Sequence, residues 1–69
     1  MRRIGANDVI TPDGEILSPA VVEIDNGMVQ QWYRLDMEMP FTEWIGGTIE
    51  LQADNYGNIM AIKNNRILC

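Results

Sequence analysis

Apolar and polar residues alternate along much of the chain, and turn signals interrupt the alternation too often for helices to fit between them. Thr48-Ile49-Glu50-Leu51-Gln52-Ala53 is the strictest stretch. Its two-residue period predicts a half-buried strand, with Ile49, Leu51 and Ala53 turned inward and Thr48, Glu50 and Gln52 turned to water. Thr11-Pro12-Asp13-Gly14, Ser18-Pro19, Asn26-Gly27, Gly46-Gly47, the run from Asp54 to Asn58, and Asn64-Asn65 supply the breaks. Asn-Gly tolerates the positive φ of a type I′ turn, so a hairpin is expected to close at Asn26-Gly27.

A two-residue turn there sets Asp25 against Met28, Ile24 against Val29, Glu23 against Gln30, Val22 against Gln31 and Val21 against Trp32. Ile24, Val22, Val29, Tyr33 and Leu35 then share the core face. Asp25, Glu23, Gln30 and Arg34 share the other face, with Val21, Met28 and Trp32. Trp32 is out of phase for a large apolar side chain. Either it lies on the polar face, or a β-bulge near Gln30-Gln31 swings it inward.

The apolar run Ile59-Met60-Ala61-Ile62-Lys63 and the reversal at Asn64-Asn65 into Arg66-Ile67-Leu68 complete a three-stranded meander with the 48–53 strand. Ile4 to Ile10 reads as one strand weakened by Gly5, and Glu15-Ile16-Leu17 as a short strand pairing back across Pro12-Asp13-Gly14. Residues 35–45 have no clean period, and Pro40 blocks a helix through them, so a connecting loop is expected there, with room for one helical turn at Thr42. The expected fold is all-β: one domain over residues 1–69, a small β-sandwich or open barrel of about six or seven short strands, rich in hairpins.

Composition narrows the chemistry. Sixty-nine residues, 46% of them hydrophobic, suit one globular domain with a thin core. Ten acidic against five basic side chains give a net charge of −5, with little to neutralise a row of phosphates, so nucleic acid is not an expected partner. No apolar stretch approaches the roughly 20 residues of a membrane helix, and no signal-peptide core follows Arg2-Arg3, so a cytoplasmic location away from membranes is expected. The absence of histidine and the single cysteine, Cys69, remove His-based catalysis, Cys/His zinc sites and internal disulfides. With no disulfide to support a thin core, homodimerisation is the expected source of added stability.

The sequence from Ile10 to Leu17, Ile-Thr-Pro-Asp-Gly-Glu-Ile-Leu, followed by Ala20 to Val29, Ala-Val-Val-Glu-Ile-Asp-Asn-Gly-Met-Val, resembles the N-terminal strands of metal-dependent amidohydrolases. Gly47 to Leu51, Gly57 to Ile59 and Asn64 to Leu68 resemble the strands that family places after its catalytic barrel. The likeness covers residues 4–33 and, more loosely, 47–68. It implies a freestanding version of the family's small composite sandwich. The barrel and its histidine ligands have no counterpart in this chain, so no catalytic or metal-binding residue is carried over.

Asp8, Asp13 and Glu15 flank a glycine turn, and Asp54 opens another, but neither has the spacing of a calcium loop, and turn chemistry accounts for both. Glu43, Glu50 and Asp54 could be paired for acid-base hydrolysis only as any acidic protein allows. Cys69 has no histidine to activate it. No cofactor, no metal and no enzymatic activity are expected.

Trp32, Tyr33, Phe41 and Trp44 lie within thirteen positions, joined by Met28, Met37 and Met39. They read either as core or as a contact patch for a second copy or another protein. The expected function is a non-catalytic interaction or self-assembly module. The alternative is a protein binding a small apolar or aromatic ligand among the same side chains. A third class, a residual hydrolase completed by a partner chain, would need the barrel from elsewhere.

Overall fold

A computed structural model describes residues 1–37 and 42–68 as two mixed β-sheets facing one another, open at their edges. The strands are β1 (Arg2–Ala6), β2 (Asp8–Ile10), β3 (Ile16–Leu17), β4 (Ala20–Asp25), β5 (Met28–Arg34), β6 (Glu43–Trp44), β7 (Thr48–Ala53), β8 (Ile59–Lys63) and β9 (Arg66–Leu68). Four form one sheet in the order β5-β4-β1-β6, and five form the other in the order β3-β2-β7-β8-β9. The described residues contain no helix. The fold is the expected all-β type, with more strands than expected because several are only two or three residues long.

The expected single strand from Ile4 to Ile10 is two strands. The chain leaves the four-stranded sheet after Ala6, bends at Asn7 and enters the five-stranded sheet at Asp8. A second bend runs beside it at Gly46 and Gly47, both with positive φ. The Gly47 amide donates to Asn7 Oδ1 at 2.8 Å, and the Asp8 amide donates to the Gly47 carbonyl at 3.1 Å. The two bends therefore turn together, and parallel pairing continues through them from β1–β6 to β2–β7. Ser18-Pro19, a cis peptide, makes the return crossing, and Ser18 Oγ donates to the Asp8 carboxylate. The 35–45 segment, expected as a connecting loop with room for a helical turn at Thr42, contributes β6, parallel to β1. Phe41, Met39, Pro40 and Cys69 fall outside the described residues.

The 26–27 hairpin closes as expected, with φ of 54° at Asn26 and 78° at Gly27, and the first pairs, Asp25 with Met28 and Ile24 with Val29, hold. Beyond them a bulge adds Gln30 to one side. Glu23 now faces Gln31, Val22 faces Trp32 and Val21 faces Tyr33. The expected pairs Glu23–Gln30, Val22–Gln31 and Val21–Trp32 are thereby shifted by one residue. The one-residue slip exchanges the faces of the two aromatics. Trp32 turns inward, and Tyr33, expected in the core, turns outward.

The core lies between the sheets. Ile4, Ala6, Ala20, Val22, Ile24 and Val29 come from the four-stranded sheet, and Val9, Ile49, Leu51 and Ala61 from the other, with Leu17, Trp32, Ile45, Ile59 and Leu68 packed around them. Ile49 and Leu51 are buried as the alternation requires. Ala53, expected inward, is exposed, because β7 runs past the end of β2 and reaches the margin of the sandwich.

Candidate functional site

Each sheet has an outer face, and the two differ in chemistry. On the four-stranded sheet, Tyr33, Val21, Gly5 and Trp44 stand in register across all four strands. The Trp44 indole lies over Gly5: a Cβ added there would come within 2.8 Å of Trp44 Cε3. Glycine at this position, read from sequence as a weak point, leaves room for the indole against the strand. Val21 is fully buried in this row, whereas Trp44 remains 53% exposed.

The next row holds Gln31, Glu23 and Arg3. Glu23, expected to face water, is only 5% exposed and accepts from Tyr33 Oη at 2.6 Å, Gln31 Nε2 at 2.8 Å and Arg3 Nε at 3.3 Å. The donors from Gln31, Tyr33 and Arg3 outweigh burial and hold the Glu23 carboxyl below the ordinary range. Burial and the adjacent carboxylate raise Tyr33 above the usual phenol range. This network satisfies its own members, which makes it a device for anchoring β5 to β4 and β1 rather than a site with a spare valence.

On the five-stranded sheet a different row crosses the outer face. Ile16 pairs with Ile10, Ile10 with Glu50, Glu50 with Ile62 and Ile62 with Ile67, one residue from every strand. Directly paired residues share a face, so four isoleucines lie in line with one carboxylate in the middle. Ile16 is 61% exposed and Ile67 54%, while Ile10 and Ile62 are half-buried. Gln52 and half-buried Met60 form the neighbouring row. Four inter-strand steps make the stripe roughly 19 Å long.

Beside it, where β7 outruns β2, an open groove of about 520 Å³ is lined by Ile10, Thr11, Pro12 and Gly14 on one side and residues 50–53 on the other. Thr11 shapes that wall: its amide and its carbonyl bond Glu15 and Gly14, and its Oγ1 accepts from the Glu15 amide at 3.1 Å.

The aromatic residues singled out by sequence are divided between faces. Trp32 packs against the core, Tyr33 and Trp44 stand on the outer face of the four-stranded sheet, and Met37 is exposed in the loop after β5. Met39 and Phe41 lie outside the described residues. Asp54 is turn chemistry: its Oδ1 accepts from the amides of Tyr56 at 2.7 Å and Asn58 at 2.9 Å, which lowers its pKa. Among the described residues no three acidic or cysteine side chains cluster to hold a metal.

The isoleucine stripe is the feature sequence reading passed over. Its signal was present as adjacent apolar pairs, Val9-Ile10, Ile16-Leu17, Ala61-Ile62 and Ile67-Leu68, each sending one side chain inward and one outward. No family model, curated protein or solved structure matches the chain.

Proposed function

We propose that this chain is a non-catalytic β module that binds another polypeptide through the outer face of its five-stranded sheet. The isoleucine stripe carries this reading. Single exposed apolar residues are ordinary on any protein, but isoleucines aligned on four of a sheet's five strands, interrupted only by Glu50 on β7, form the kind of apolar patch that marks an interaction surface. The pairing of β2 with β7 joins the early and late parts of the chain in one sheet, as the resemblance to the amidohydrolase composite sandwich implies.

The rival reading, a small apolar ligand held among the clustered aromatics, has less support. Trp32 is on the opposite face of its sheet from Tyr33 and Trp44, so these three rings do not line one cavity.

Peptides selected from a displayed random library against the wild-type protein, then titrated against an Ile16→Ser/Ile67→Ser variant, test the proposal. Both positions are exposed, so the variant keeps its core. Binding that weakens by about tenfold or more, the cost of roughly 1.4 kcal/mol, is the expected result. Peptides that bind the variant unchanged but lose affinity for Trp44→Ala would move the docking face to the other sheet.

A further inference from the structure

The stripe has one interruption, and it is a carboxylate. Glu50 stands between Ile10 and Ile62 in the centre of the row, and it accepts from Gln52 Nε2 on its own strand at 3.1 Å. The outer-face positions of β2 and β7 also hold Asp8 and Thr48, while Asp13 and Glu15 stand exposed in the turn that borders the groove. None of the five basic residues occupies an outer-face position of this sheet. Arg2, Arg3 and Arg34 belong to the four-stranded sheet, Lys63 and Arg66 pair with each other on the opposite side of β8 and β9, and the Lys63 side chain runs along the Gly47 bend.

Resting on the docking face proposed above, we infer that its partner is a polypeptide segment carrying a lysine or arginine among apolar residues, with the cation directed to Glu50. The apolar flanks lie along Ile16, Ile10, Ile62 and Ile67. The aliphatic stem of the cation lies in the groove against Ile10 and Pro12, as long basic side chains do when apolar surface borders a charge. A second copy of this chain fits less well. Set face to face, it would bring Glu50 against Glu50 and one acidic margin against another, and like charges brought together at an interface cost several kcal/mol.

The composition of the selected peptides and a Glu50→Gln variant test this together. Expected are peptides enriched in lysine or arginine flanked by apolar residues, binding roughly fivefold more weakly to Glu50→Gln, which corresponds to about 1 kcal/mol for a partly exposed ion pair. Neutral apolar peptides that bind Glu50→Gln as well as wild type, yet are weakened by Ile16→Ser/Ile67→Ser, overturn the cation and leave the docking face standing. Binding indifferent to both variants, or no binder at all, overturns the docking face as well. A solution mass that rises reversibly to two chains with concentration, and falls back in Ile16→Ser/Ile67→Ser, makes the occupant a second copy and overturns this inference.

Discussion

Gly5 and Glu23 show how single residues decide the surface of the four-stranded sheet. At Gly5 a methyl group would meet the Trp44 ring at 2.8 Å, well inside van der Waals contact. Gly5→Ala is expected to lift the indole and cost about 1–3 kcal/mol, the usual range for overpacking. A lowered urea midpoint with easier acrylamide quenching of tryptophan emission would bear this out, and an unchanged midpoint would contradict it. At Glu23 the sign follows from the lowered carboxyl. The folded state holds the charged form more tightly than the unfolded chain does, so the network stabilises at neutral pH. That stability is lost as pH falls below the ordinary glutamate value of 4.5 through the lower folded value. Tyr33→Phe removes one donor and is expected to cost about 1 kcal/mol near pH 7, with a smaller difference once Glu23 is protonated. Urea titrations of both proteins at neutral and acid pH check this. Alternation alone assigned Glu23 to water, because nothing local announces that three donors, two from its hairpin partner β5 and one from β1, will converge on it.

At the scale of elements, the bulge in β5 is the decisive irregularity. Gln30 is the extra residue, so a chain lacking it pairs Val29, Gln31 and Trp32 regularly with Ile24, Glu23 and Val22, and Trp32 stays inward. Deleting Gln30 is therefore expected to leave the tryptophan emission maximum unchanged and the fold cooperative. A red-shifted maximum would mean that Trp32 has turned to solvent, and the register described for this hairpin would be wrong. The Asn-Gly turn and the first two pairs were legible in the sequence because turn chemistry fixes them locally. The bulge was legible only as an out-of-phase tryptophan, since burial of Trp32, decided by packing against the second sheet, chooses between the alternatives. The meander of β7, β8 and β9 was read with its bounds because each turn in it has its own local signal. The break at Asn7 was not read, because it depends on Gly46 and Gly47, some forty residues away, whose amide Asn7 holds.

For the whole molecule, the two outer faces set the functional account. One carries an ionic network and an indole that stays half-exposed, and the other presents isoleucines around a carboxylate. Apolar pairs in adjacent positions carried that second face in the sequence, but only the strand order β3-β2-β7-β8-β9 aligns them into one stripe, and strand order was not readable. The acidic net charge, favourable for solubility, also disfavours stacking one copy on another through the same face. Light scattering across a concentration series under reducing conditions is expected to give one chain of 7.8 kDa.

The two outer faces differ in where a bound peptide would be felt. Titrating a selected peptide into the isotope-labelled protein and following backbone amide shifts locates it directly. Shifts concentrated at Ile10, Thr11, Ile16, Glu50, Gln52 and Ile62 are the predicted outcome. Shifts concentrated at Val21, Gln31, Tyr33 and Trp44 instead would place the partner on the four-stranded sheet and contradict the account.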